Sequence, residues 1–219
     1  VRIYNADGSE AEKSGNGMGI FAKYLRDAGY VQKTTISWKT LGGEETVFYL
    51  NEDATRVKIS MGHPTFWSDE IPVTGERREM VNQTMVFGKI PYVTTCLSMG
   101  NPHCVIFTEG IDDLDLEKIG PSFENHELFP DRINTEFVEV IDDHTIKMRV
   151  WERGSAETLA CGTGTCATVM ACILNHKTEN KVLVHLRGGD LTIEYDPDNN
   201  HIYMTGPATE VFHGIWEEN

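Results

Sequence analysis

Two stretches of the chain share one design. GSEAEKSGNG (8–17) and GSAETLACGTG (154–164) each carry Gly-Ser, a Glu, and then a small nucleophilic residue directly before Gly-x-Gly. In the second copy that residue is Cys161; in the first it is Ser14. Each lies where a loop enters an apolar helical segment, at the unpaired N–H groups and partial positive charge of a helix start. The N–H groups of Gly15-Asn16 and Gly162-Thr163 can then hold a carboxylate. Gly-x-Gly lets the backbone approach a ligand closely, and a thiol in this position is expected to have its pKa drawn down toward neutrality. If the two helix starts converge, one carboxylate sits between both sets of donors, with Ser14 and Cys161 on opposite faces of the carbon that bears it. Such a pair suits removing a proton from one face and returning one to the other, a stereoinversion at Cα without cofactor or metal. A lone Gly-x-Gly before a helix is a weak signal; two copies, each one residue behind a nucleophile, are much less expected by accident.

The elements that would position these loops are mostly strands. Residues 34–40 (TTISWKT), a Gly42-Gly43 turn and 45–50 (ETVFYL) read as a hairpin, followed by 56–62 (RVKISMG). Further on, 94–100, 104–109, a hairpin of 134–141 and 144–152, and then 181–186, 190–196 and 201–206 continue the pattern, and 1–4 (VRIY) reads as part of a strand. Helices are expected at 18–27, ended by Gly29, and at 165–174, each just after a Gly-x-Gly. The second is apolar nearly all round and should be buried. A surface helix is expected within 113–126. The pattern implies an α+β protein of two pseudo-symmetric domains, each a curved, mostly antiparallel sheet around a central buried helix. The boundaries place 1–62 with 207–219 in the first domain and 63–206 in the second, near Pro64 and Pro72. The two copies sit at unequal depths in the chain, so equivalent halves would leave roughly 60 residues missing before Val1.

Composition narrows the function. The 219 residues carry a formal net charge of −15, which argues against a nucleic-acid partner, since that needs clustered Lys and Arg. No apolar run approaches about 18 residues, so no membrane span is expected. The five cysteines, Cys96, Cys104, Cys161, Cys166 and Cys172, are odd in number and form no CxxC pair, which argues against a disulfide framework or a structural zinc site and for a reducing cytoplasm. Cys96, Cys104, Cys166 and Cys172 lie in apolar runs and read as packing.

NADGSEAE-x-x-GNG (5–17), SMGNPHCVIF (98–107) and WERGSAETLACGTGTCA (151–167) together resemble the three signatures of the diaminopimelate epimerase family, and the likeness runs from Val1 to the TGPA at 205–208. The resemblance implies a cofactor-independent isomerase that interconverts LL- and meso-diaminopimelate, often as a homodimer, with the fold inferred above. It places the two catalytic positions on Ser14 and Cys161 and the α-carboxylate on Gly15, Asn16, Gly162 and Thr163. The distal amino-acid end falls to Asn5, Asn101, Asn134, Glu152 and Arg153. Those types make chemical sense: Arg153 can fork a carboxylate, Glu152 can take an ammonium, and the asparagines fix orientation. His103 and Glu152 are the nearest candidates for assisting proton movement. Asn5 and Asn134 also fit turn positions, and His103 also fits a structural histidine.

The main departure is Ser14, where the family has Cys. A serine hydroxyl ionises far above any working pH and cannot match a thiol. An engineered replacement, a natural enzyme with one good base, and a relative that no longer catalyses are all open. Met18-Gly19-Ile20, where the family run is Ala-Arg-Cys, favours natural divergence. Racemisation of another amino acid such as histidine, dehydration, and plain amino-acid binding are the alternative functions.

Overall fold

The computed structural model describes residues 1–4, 8, 10, 11, 14–212, 214 and 215; Asn5 lies outside them. In chain order the elements are β1 (Ile3–Tyr4), β2 (Glu10–Ala11), α1 (Gly15–Asp27), β3 (Thr35–Thr40), β4 (Gly43–Tyr49), β5 (Arg56–Gly62), β6 (Gln83–Phe87), β7 (Ile90–Ser98) and β8 (Pro102–Phe107). They continue with α2 (Leu116–Glu124), β9 (Asn134–Asp142), β10 (Thr145–Glu152), β11 (Ala156–Thr158), α3 (Gly162–Leu174), β12 (Lys181–Leu186), β13 (Gly189–Asp196) and β14 (His201–Pro207). Apart from the small β1–β2 pair, the described strands join one sheet in the order β3-β4-β5-β14-β13-β12-β10-β9-β8-β7-β6, with β11 on β10. Its pairings are antiparallel except β8 with β9 and β10 with β12. The architecture is the expected α+β one.

Both principal helices begin earlier than the sequence pattern suggests. The Gly-x-Gly of each copy forms the first helical turn, because Ser14 and Cys161 take extended backbone angles and act as N-caps. Each supplies the acceptor that a helix start needs, for Gly17 N–H in one case and Gly164 N–H in the other. β6 is an addition to the expected strands, and it pairs in a hairpin with β7, which begins four residues before the strand expected at 94–100. The hairpin turns on Gly88 and Lys89, both at positive φ, and Pro91 near the start of β7 disguises the alternation.

The inner stretches of β7 to β10, residues 94–98, 102–106, 134–138 and 148–151, are buried although they include Thr, Asn, Glu and Arg, because both faces of the sheet are covered there. One face packs on α3 through Leu97, Val105, Val138, Met148 and Val150, in a core that also holds Met18 and Ala22 of α1. The other face, with Cys96, Cys104, Ile106, Phe137 and Trp151, lies under Leu116 and Phe123 of α2. The helix expected at the surface is therefore the cover of a second core. The closest approach there is at Gly120: a Cβ on it would stand 2.2 Å from Trp151 Cδ2, and the indole cannot retreat because its Nε1 donates to Glu124 Oε2 at 2.7 Å. Gly120→Ala is expected to cost about 2–3 kcal/mol and lower Tm by roughly 5–10 °C. Thermal unfolding followed by circular dichroism checks this; an unchanged Tm would contradict the packing described.

All five cysteines are free and buried. Among the described residues no helix is long and apolar enough to cross a membrane.

Candidate active site

The starts of α1 and α3 meet head to head. A Cβ placed on Gly15 would lie 3.6 Å from Gly162 Cα, and one on Gly162 would lie 3.5 Å from Gly15 Cα. Those are ordinary contact distances; what a Cβ would crowd is Met204, whose Cε would stand 2.8 Å from one on Gly15 and whose Sδ would stand 3.2 Å from one on Gly162. Neither helix carries an acidic residue in its first turn, so both positive ends are left to an external anion. They open into one cavity of about 1080 Å³ lined by Ser14, Gly15, Asn16, Cys161, Gly162 and Thr163. Asn101, Asn134, Glu152 and Arg153 line the same cavity. So do Met61, His63, Met99, Glu10 and Arg132. Carboxylates, guanidinium groups and amides around one space suit a zwitterion with charges at both ends.

Ser14 and Cys161 are near-equivalent in backbone and side chain. Their φ/ψ angles are −147/111 and −129/112. Ser14 Oγ accepts from Gly17 N–H at 3.1 Å and Cys161 Sγ from Gly164 N–H at 3.4 Å. The expected lowering of the thiol pKa is corrected here. Burial, then the carboxylate of Glu152 and, to the extent that it is charged, that of Glu136, push the Cys161 thiol well above its ordinary range, against the smaller pull of the Thr163 hydroxyl and Gly164 N–H. Desolvation of the buried sulfur outweighs the helix start, so the resting form is the protonated thiol.

The residues around the thiol are held from several elements. Glu152, at the end of β10, accepts from Thr158 Oγ1 of β11 at 2.5 Å. Asn134, at the start of β9, donates to Pro102 O at 2.8 Å and accepts from Arg153 N–H at 2.9 Å, tying the ends of β8, β9 and β10 together at the cavity floor. Arg153 Nη1 donates to Asp131 O at 3.1 Å. His103 does not line the cavity: it is wholly buried behind Asn101, with Nε2 3.0 Å from Asn101 Oδ1. Asn5 lies outside the described residues.

Sequence reasoning missed three residues. Arg132 reaches the cavity from a left-handed backbone position, held by Glu124 Oε1 at 2.9 Å; the same oxygen accepts from Gly154 N–H at 2.9 Å. His63 lines the rim, with Nδ1 on Asn200 O at 2.6 Å. Glu136 is buried beside the thiol, and its signal was a carboxylate directly before Phe137 and Val138 in a buried stretch of β9. Among the described residues no group of three or more His, Cys, Asp and Glu side chains is arranged to hold a metal ion.

Known proteins resemble the chain in sequence and in fold. The sequence model of the family described as diaminopimelate epimerase matches residues 1–67 and 95–211. The diaminopimelate epimerase of Agathobacter rectalis is 54% identical over 98% of this chain and 78% of its own length. That of Acetivibrio thermocellus is 48% identical over 98% of this chain and 77% of its own. Among solved structures, a probable proline racemase from Agrobacterium radiobacter with bound carbonate superposes with a TM-score of 0.70 at 13% identity, over 94% of this chain and 68% of that one. A hydroxyproline epimerase from Agrobacterium vitis, with bound trans-4-hydroxy-L-proline, does so with a TM-score of 0.70 at 12% identity, over 94% and 66%. The last two are alike in fold alone. By the family match and the extent of its identity to those relatives, the chain belongs to the diaminopimelate epimerase family.

Proposed function

We propose that the protein binds diaminopimelate and exchanges the proton at one α-carbon, interconverting the LL and meso forms, with Cys161 as acid–base group on one face and Ser14 on the other. The observation that carries the reading is the head-to-head meeting of α1 and α3, whose N-caps are these two residues. The α-carboxylate takes the N–H groups of Gly15, Asn16, Gly162 and Thr163. The negative charge that develops as Cα–H is broken spreads into that carboxylate, where the two helix starts are already aimed; such fixed dipoles need no reorganisation during the reaction. Asn101, Asn134, Glu152, Arg153 and Asn5 receive the distal ammonium and carboxylate, with Arg132 close by. Cys161, once ionised, removes the proton on its face. Ser14 cannot ionise at working pH, so exchange through Cys161 outruns inversion. The division into 1–62 with 207–219 and 63–206, a homodimer and a cytoplasmic setting belong to the same proposal. The first is supported by the packing of α1 on β4 and β5 and of α3 on β7 to β10 and β13, with β14 touching both helices.

Incubation with LL-diaminopimelate in heavy water, followed by NMR of Cα–H, tests this reading. Deuterium is expected to enter Cα faster than the meso isomer accumulates. Exchange and inversion at equal rates would show that Ser14 is a competent partner. Binding without exchange would leave an amino-acid binder and end the proposal.

A further inference from the structure

Behind the cavity wall a line of polar side chains runs from the interior to the thiol, and the proposed reaction does not use its inner end. Glu136, in β9, is wholly buried. Its Oε1 lies 2.7 Å from His103 Nδ1, and its Oε2 has no hydrogen-bond partner among the described residues. His103 Nε2 lies 3.0 Å from Asn101 Oδ1, Asn101 Nδ2 donates to Thr163 Oγ1 at 3.2 Å, and Thr163 Oγ1 is 3.6 Å from Cys161 Sγ. A Cβ on Gly164 would stand 2.6 Å from Glu136 Oε1, so the carboxylate sits against the same first turn of α3 whose N–H caps the sulfur.

The donors along this line share one direction. The Asn101 amide gives a hydrogen to Thr163, so its oxygen faces His103, and an oxygen there calls for a hydrogen on Nε2. The Thr163 oxygen already accepts from Asn101, so when Cys161 is the thiolate the Thr163 hydroxyl is placed to give its own hydrogen to Sγ. With Nε2 protonated, the remaining ring nitrogen and Glu136 Oε1 have one proton between them. The pair then has no net charge, the condition under which a carboxylate can stay this deep. Burial pushes the Glu136 carboxyl above its usual range while His103 pulls it back, as a shared proton requires.

We infer that Glu136 is a positioning residue for the Cys161 thiol: it holds a proton in common with His103 and so keeps Asn101 and Thr163 turned with their donors toward the sulfur. The inference rests on Cys161 being the reactive thiol, but not on the substrate. Two effects of Glu136 oppose one another. As a bare charge it would disfavour the thiolate, and its removal would make Cys161 easier to ionise. As half of a neutral pair its charge is cancelled, and its removal costs the donor line. Glu136→Gln keeps a hydrogen bond to His103 but cannot hold a proton in common with it, so the line reverses or weakens.

Alkylation of the full protein by iodoacetamide, with Cys161 followed by peptide mass from neutral to alkaline pH, separates the two and needs no turnover. Glu152 of β10 and Glu136 of β9 both act on Cys161, and Glu10, His63, Arg132 and Arg153 share its cavity; all but Glu136 are unchanged by the substitution. Glu136→Gln is expected to move the midpoint of thiolate formation up by about one pH unit, about tenfold slower alkylation at a fixed pH below it. Thr163→Val, which keeps the backbone N–H, is expected to do the same, and the double variant no more. A midpoint that falls or stays, or effects that add in full, would overturn the inference. Nitrogen NMR of labelled histidine in the unaltered protein tests it without a variant. Nε2 of His103 is expected to carry hydrogen, and a bare Nε2 would overturn it.

Discussion

Ser14→Cys is expected to raise the rate of Cα inversion by about 10²–10⁴-fold, the range that a correctly placed acid–base group contributes. The backbone already suits a thiol there, since Ser14 and Cys161 share the same extended conformation and the same capping hydrogen bond. Sulfur caps less well than oxygen, so stability should fall by less than about 1 kcal/mol. The neighbouring divergence should not interfere. Met18 is buried in the core, Gly19 faces Val57 and Ile59, and Ile20 is exposed; none of the three lines the cavity. The rate of meso isomer formation from LL-diaminopimelate, measured for both proteins, checks the prediction. An unchanged rate would mean that the deficit lies elsewhere than in the missing thiol.

The convergence of the two helix starts could be read from the chain because it is written as a local repeat. A nucleophile, two glycines and an apolar helix recur within short windows, and capping and close approach are properties of such windows. The strands with turn glycines were equally legible. Three features were not, and each depends on distant parts of the chain. The first helical turns were assigned to the loops, because glycine lowers helix propensity and only the caps at Ser14 and Cys161 reveal the true starts. Glu136 looked like one polar residue in a strand; its meaning comes from His103, which only the parallel pairing of β8 and β9 sets beside it. The raised thiol pKa could not be read either. A helix start is a local feature, whereas the burial and the two carboxylates that outweigh it are assembled from β9, β10 and α3.

Cys161→Ser should lower deuterium incorporation at Cα by about 10²–10⁴-fold while leaving diaminopimelate affinity nearly unchanged. In the proposed binding mode the carboxylate takes backbone N–H groups of Gly15, Asn16, Gly162 and Thr163, which the substitution does not touch, and serine is a better N-cap than cysteine, so the start of α3 should keep its shape. The variant would have a hydroxyl on both faces, and neither hydroxyl could accept a proton at working pH. The pH dependence of the unaltered protein carries the same argument. Because the folded-state thiol pKa is raised, the thiolate fraction in neutral solution is small, and exchange should climb by up to about tenfold per pH unit through the alkaline range until that pKa is passed. Cys161→Ser should abolish the climb. Calorimetric binding beside exchange measured by NMR separates the possibilities. If the variant still exchanged at the original rate with the original pH profile, the base would be Glu152 or another group on the same cavity wall, and the thiol would be a cap and nothing more.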